Sequence, residues 1–402
     1  MNETADAAVV RAKILAGVSA AAFLGPFTQT VYVPSLLEIG ADLAADTLMV
    51  NLTISIFTAI LAASSFVVGP LADHRGRRAV LLPGLGVYVA GCLLCLLAPS
   101  YWAFLAGRVV QACGISTGSV VAAAVIGDLY AVDERPQAMN RYQLMVFLGP
   151  VAGPVIGGLI AAHLHWQWAF GVLMAVGLAV MLYNATTLPE TLARAGAGNP
   201  LALSRIRVVV RSASARSILL LGFSQFYGYY VFLVFLPQLA ERFALSTSGK
   251  GLAFVPLTAG ILAGIEAVKR WLPRQTGTRI MSATSYGICA SVLALWLAST
   301  AGALSLGLLL LATLLYGMLL GASLPAQSTA LVNLFTAERA TAMGIYNFTR
   351  FMGAAAGPLL GAMIAGAFGL NAVLLSLGLL LLAAAWAMQR GMTDPGEAAA
   401  GR

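Results

Sequence analysis

The chain has 402 residues, of which 60% are hydrophobic and only 9% charged, with 23 Lys and Arg against 15 Asp and Glu for a net charge of +8. A water-soluble domain is nearer one quarter charged, and a chain this apolar cannot cover itself with polar surface, so its solvent is lipid. Its apolar runs do not alternate every second residue, which excludes a transmembrane β-barrel and leaves helices.

A spanning helix needs about 20 apolar residues, and such windows recur along the whole chain. Spans are expected near 14–36, 50–72, 79–98, 102–129, 138–161 and 167–187, then near 217–239, 250–271, 280–299, 304–333, 342–368 and 370–389. The first lacks the short apolar core and small-residue cleavage site of a secretory signal, so it is expected to stay in the mature chain. Arg11 and Lys13 precede span 1, Arg75, Arg77 and Arg78 separate spans 2 and 3, and Arg135 and Arg141 separate 4 and 5. Arg194, Arg205, Arg207, Arg211 and Arg216 fill the central connection, Lys269, Arg270, Arg274 and Arg279 the 8–9 loop, Arg339 the 10–11 loop, and Arg390 and Arg402 the tail. All fall on one side if twelve spans alternate, and only Arg242 and Lys250 on the other. The positive-inside rule then places both termini and the central loop in the cytoplasm. The basic balance therefore reports topology, not nucleic-acid binding. Cys92 and Cys95 form a C-x-x-C without a His or second pair nearby and read as small core residues, so no metal and no cofactor is expected. His163 and His165, beyond span 5, read as solvated loop residues.

Sliding the chain by 204 positions lays ERPQAMNRYQLMVFLGPVAGPVIGGLIA, from Glu134, over ERATAMGIYNFTRFMGAAAGPLLGAMIA, from Glu338, without a gap. Glu134/Glu338, Met139/Met343, Tyr142/Tyr346, Gly149/Gly353, Gly153/Gly357, Pro154/Pro358 and Gly157/Gly361 coincide. The chain is thus read as two six-helix halves, 1–187 and 217–402, joined by a basic linker at 188–216. Gly149, Gly153 and Gly157, four apart, form a groove that a neighbouring helix can approach closely, while Pro150 and Pro154 remove backbone bonds and let span 5 bend.

Four motifs resemble those of the major facilitator superfamily. GPLADHRGRR (69–78) is similar to its signature after span 2, FLAGRVVQACG (104–114) to its arginine-bearing motif in span 4, GPVAGPVIGG (149–158) to its antiporter motif in span 5, and LPET (188–191) to the ending common after span 6. The last two resemble the twelve-helix drug:proton antiporters. The resemblance implies a major facilitator fold, all-α, with substrate held between two halves that rock around it. It also implies that Asp73 meets the N-terminal end of span 11 while Arg77 pairs with Asp128, a latch that closes the cytoplasmic side. Gly69, which permits close helix approach, and Gly149, Pro150, Gly153 and Pro154 join these as gating residues. The plainer reading of 69–78 is a basic anchor.

Arg108 lies inside span 4, where an arginine usually faces a cavity or partner; the resemblance gives it a role in proton coupling, and the alternative is a snorkelling side chain. Arg350, deeper in span 11 and opposite Val146 in the repeat, calls for a substrate anion or an embedded carboxylate. Glu266 in span 8 is the obvious acid, although Lys269 and Arg270 one turn on suit a plain surface pair. Thr30 stands where many members of the family carry an acid in span 1, so any proton must use Glu266 or Asp128. Span 7, FSQFYGYYVFLVF from Phe223, supplies Phe223, Phe226, Tyr227 and Tyr230 as aromatic walls. Gln29, Tyr32, Gln111, Gln143, Phe147, Gln225, Gln327, Tyr346 and Asn347 extend the candidate substrate lining.

These features point to a secondary transporter in the cell inner membrane. It would export amphipathic small molecules by alternating access in exchange for protons, as a monomer with only lipid, substrate and protons as partners. A uniporter or uptake permease on the same fold is the alternative, and a non-transporting sensor a third. Catalysis is not expected, since no Ser-His-Asp cluster, metal-ligand spacing or phosphate loop is present.

Overall fold

The structure, a computed structural model, describes residues 2–131, 134–192, 203–245, 247–271, 277–335 and 339–392. They are helical, with no strand among them. In chain order come α1 (Asn2–Thr30), a 3-10 turn at Val33–Ser35, α2 (Leu36–Asp42), α3 (Thr47–Arg75), α4 (Arg77–Leu96), α5 (Tyr101–Leu129), α6 (Arg135–His163) and α7 (Trp168–Thr187). After them come α8 (Leu203–Arg211), α9 (Ala213–Glu241), α10 (Thr247–Leu252), α11 (Val255–Trp271), α12 (Gly277–Thr300), α13 (Leu306–Leu334), α14 (Arg339–Phe368) and α15 (Leu370–Gly391). Twelve segments of the described residues are long and apolar enough to cross a membrane, one for each expected span. The fold is that of an all-α, multi-pass membrane protein.

Polar caps set where several spans begin. Asp46 accepts from the Met49 N–H at 2.7 Å at the start of α3, and Ser212 and Ser305 do the same for α9 and α13 at 3.3 and 3.2 Å. Each satisfies a donor that the first helical turn leaves without an intrahelical partner. Span 1 runs on past Pro34 through the 3-10 turn into α2, so that one apolar segment reaches Asp42. Span 8 is likewise broken, at Ala253 and Phe254, with Pro256 in the first turn of α11, where its missing N–H costs nothing.

The chain divides into two compact units, Met1–Gly198 with Ser246–Leu252, and Asn199–Leu245 with Ala253–Arg402. In the first, α1 packs on α5, α6 and α7, α3 packs on α5, and α4 on α5 and α7. The second repeats the scheme, with α9 on α14 and α15, α11 on α13, and α12 on α13 and α15. The repeat extends to the backbone: Ala44 and Ala244, each just beyond the first span of its half, have φ of 48° and 51°.

The glycine face of α6 is spent on α1. A Cβ on Gly149 would meet the Phe27 nitrogen at 2.8 Å, and one on Gly153 or Gly157 would collide with the Thr30 hydroxyl or the Val31 carbonyl. Gly353 and Gly357 of α14 lie as closely against the Phe223 and Tyr227 carbonyls of α9. Gly158, which the second copy replaces by Ala362, faces Gly251 of α10. The linker contributes more than a loop: Val209 of α8 is fully buried in the second unit's core, with Arg207 and Arg211 exposed.

Candidate functional site

Three polar constellations stand inside or at the ends of these spans. The first surrounds Arg108 in the first unit. Its side chain is 0% exposed, and its guanidinium carbon lies 4.5 Å from the Tyr32 ring centroid and 4.2 Å from that of Phe57. Its Nη1 donates to Gln111 Oε1, and Gln111 Nε2 donates in turn to Cys92 Sγ at 3.0 Å. The Nε and Nη2 groups have no protein acceptor. Placing an arginine in a span costs about 2.5–3.5 kcal/mol on insertion scales, and a desolvated cation–π contact returns about 2 kcal/mol. The two rings therefore offset most of that cost without a carboxylate. Gln29 donates to Thr58 at 3.4 Å, and the Tyr32 hydroxyl meets Thr53 at 3.1 Å. Sequence reasoning missed Thr53, Phe57 and Thr58, although TISIFT puts Thr53 and Phe57 one turn apart on one helical face.

The second constellation lies in the second unit, between α9, α13 and α14. Gln327 Nε2 donates to Gln225 Oε1 and to Ser323 Oγ, both at 2.8 Å, and Gln225 Nε2 donates to the same serine at 3.1 Å. The Tyr346 hydroxyl donates to Gln327 Oε1 at 3.0 Å, and that of Tyr316 to the Gln225 carbonyl at 2.7 Å. This is a closed amide–hydroxyl network, each member buried and bonded. Gly222 leaves room for it, because a Cβ there would meet the Tyr346 ring at 2.8 Å and Arg350 Cγ at 3.1 Å. Arg350 lies at its edge, with its guanidinium carbon 4.0 Å from the Phe226 ring and 5.0 Å from that of Tyr346. Phe223 stacks on Tyr227 at 6.4 Å. Ser323 and Tyr316 were not singled out in the sequence; Ser323 stands one turn before Gln327 and was open to detection as its helical neighbour.

Gln143 and Asn347 are exposed, Tyr230 is buried against Tyr229 with ring centroids 5.4 Å apart, and the Phe147 side chain is outside the described residues. Glu266 is exposed on α11; the side chains of Lys269 and Arg270 are outside the described residues.

The third constellation closes the arginine-bearing end of the first unit. Arg77 is buried, pairing with Asp73 and, through Nε at 3.0 Å, with Asp128 of α5. Glu190 of LPET caps α4, accepting from the Arg77 and Arg78 N–H groups at 2.8 and 3.2 Å, while Thr191 donates to Asp128 at 3.1 Å. Arg78 donates back to the Leu188 and Ala185 carbonyls. Partial desolvation would raise the Glu190 pKa, but backbone donors, those of Leu192, Arg77 and Arg78 among them, outweigh it and hold the carboxyl below its usual range. Gly76 makes this possible: its φ is +102°, and a Cβ there would collide with the Glu190 carboxylate. The 69–78 motif and LPET, 110 residues apart in sequence, are one structure. Gly69 has only Val120 within van der Waals reach, so its missing side chain is not demanded inside the unit.

At the opposite end, His165 is exposed as expected but not free. Its Nε2 lies 2.7 Å from Asp42 Oδ2, which also accepts from Trp166 Nε1 at 2.9 Å. Glu38, Asp42 and His165 are close enough to share a cation, yet these bonds engage Asp42 in holding the α6–α7 connection to α2.

Comparison with known proteins agrees with this architecture. The sequence profile of the Major Facilitator Superfamily matches residues 18–319. The uncharacterized MFS-type transporter YdgK of Bacillus subtilis is 31% identical over 173 residues, and the multidrug resistance protein MdtL of Escherichia coli 32% over 168. Each match spans 42% of this chain and 43% of the relative, so it covers less than half the length of either. The xylose transporter XylE from E. coli superposes with a TM-score of 0.75 at 16% identity, over 96% of this chain and 99% of its own. With three quarters of its length matched by the family profile, and with the 69–78 motif and LPET joined in one structure, this chain belongs to the major facilitator superfamily of membrane transporters.

Proposed function

We propose that this transporter exports amphipathic small molecules across the cell inner membrane by alternating access, in exchange for protons, as a monomer with both termini in the cytoplasm. The observation that carries this reading is in the second unit, where Arg350 and the partly exposed Phe223 and Phe226 stand inside spanning helices at the edge of the buried Gln225–Gln327–Tyr346 network. A hydrogen-bonding patch among aromatic faces fits ligands that are largely apolar with one polar end. The multidrug resistance named for MdtL supports the same class of cargo. The Asp73–Arg77–Asp128 constellation, capped by Glu190, would be the cytoplasmic latch, with the bendable glycine–proline face of α6 (Gly149, Pro150, Gly153, Pro154) the moving part. Asp128 is committed to Arg77 and Thr191, which leaves Glu266 as the proton carrier, with Arg108 a second residue of the coupling machinery, inside the first unit.

One observation favours a facilitative carrier instead: Thr30, where an acid would fall, spends its hydroxyl on the Pro26 and Gly149 carbonyls at 3.0 and 3.3 Å. The two readings separate in proteoliposomes loaded with a pH dye. Under exchange, adding a transported amphiphile moves protons in the opposite direction; substrate flux with no proton movement leaves only the facilitative carrier.

A further inference from the structure

We propose that the molecules carried are amphipathic organic anions and that Arg350, held against Phe226 and Tyr346 in the second unit, binds their acidic group. This rests on the transport reading above and names its substrate class.

A guanidinium is a permanent cation, and a charge within a span calls for a partner. The protein supplies none among the described residues. None of the pairs that join Arg11 to Glu134, Arg77 to Asp73 and Asp128, and His165 to Asp42 and Glu38 includes it. The second unit's described acids are Glu241, the last residue of α9, and Glu266 on α11. Its Nε is buried without an acceptor. What it does have is two aromatic rings, at 4.0 and 5.0 Å. A ring beneath the guanidinium carbon holds the side chain in place and leaves its in-plane N–H groups for an acceptor. Those donors form a fork that matches carboxylate, sulfonate or phosphate.

The surroundings fit the rest of such a molecule. Arg350 is only partly buried, so a ligand can reach it, and Phe223 and Phe226 are partly exposed beside it. Arg108 does not qualify, since it is 0% exposed and shielded by Tyr32 and Phe57. Nor is Arg350 a requirement of the repeat, for its counterpart is Val146. The charge is an addition to a scaffold that packs without it. An inside-negative membrane potential would then drive export, since a monovalent anion leaving the cell gains roughly fifty-fold at a typical resting potential.

The test is binding to the detergent-purified full chain by calorimetry, independent of transport. The probes are carboxylates, sulfonates and phosphate monoesters on phenyl, naphthyl and decyl tails, each with its neutral alcohol and its amine. At least one anion should bind ten-fold or more tighter than its alcohol, with the amine weakest. Arg350→Gln should bring anion and alcohol together, and Arg350→Lys should restore part of the preference. No anion preference in the wild type would overturn the proposal, and so would a preference that survives Arg350→Gln or that disappears only in Arg108→Gln. If Arg350→Gln fails to fold, the wild-type series decides, together with Phe226→Leu, which keeps the charge and should weaken every anion several-fold. Anion binding without flux in liposomes would instead count against the transport reading and leave the site standing.

Discussion

Glu190 shows how much one side chain on a connection can hold. Its carboxylate takes the first N–H groups of α4, the place where a negative charge also meets the positive end of the helix dipole. Loss of a helix cap costs about 0.5–2 kcal/mol, so Glu190→Ala should lower the melting midpoint in detergent by roughly 1–8 °C, at about 2–4 °C per kcal/mol for a unit of this size. Its pH dependence has a definite sign. The folded carboxyl titrates below its ordinary value, so its contribution is complete above the unfolded pKa and fades as pH falls through the folded one. Wild-type stability should therefore drop more steeply than that of Glu190→Gln on going from neutral pH into the acid range. Parallel pH profiles for the two would show that the carboxylate does not cap α4. Nothing in LPET read alone discloses this, because the donor N–H groups lie 113 and 112 residues away and only the fold brings them together.

Among the elements, the packing of α6 on α1 and of α14 on α9 is where the sequence was most informative. Glycines at a spacing of four, repeated at an offset of 204 residues, announce a close helix–helix contact in both halves. Which helix fills the groove was not legible, since that depends on the order in which spans assemble. The same holds for Gly158: its partner Gly251 sits on α10, a short helix indistinguishable from the start of span 8 by hydropathy. The clusters were half legible for a similar reason. Glutamines and aromatic residues stand out in apolar spans, whereas Ser323 and Thr53 are small, common in helices and meaningful only once their neighbours are placed. Because the Val31 carbonyl occupies the space of a Cβ on Gly157, Gly157→Ala should push the two helices apart at a cost of about 1–3 kcal/mol. Gly353→Ala, against the Phe223 carbonyl, should behave alike. Gly366→Ala, with nothing near it, should be neutral. Equal melting midpoints for Gly157→Ala and Gly366→Ala would mean that the face is not a packing surface.

For the whole molecule, what matters is where charge is absent. Asp73, Asp128, Glu134 and Glu190 cluster at the arginine-bearing end of the first unit, and Glu38, Asp42 and Asp46 at the other. Arg108 and Arg350 lie within the spans. If Arg350 binds an anion as proposed, the number of charges moved per cycle separates the mechanisms. An organic anion leaving moves one charge outward in the negative sense; a proton entering in the same cycle moves a second in the same electrical direction. Each is worth about 2.3 kcal/mol per 100 mV, roughly fifty-fold in the gradient sustained. The reversal potential in proteoliposomes, measured with a potassium diffusion potential at fixed pH and a bound anion from the calorimetric series, should give two charges per cycle for the wild type. Glu266→Gln should give one, because the anion still moves while the proton does not. One charge in both proteins would remove the proton from the cycle and leave a potential-driven anion carrier. Two charges in both would keep the proton but assign it to a residue other than Glu266, and a count of zero would require that the cargo and its counter-ion cancel, which the two cations without carboxylates argue against.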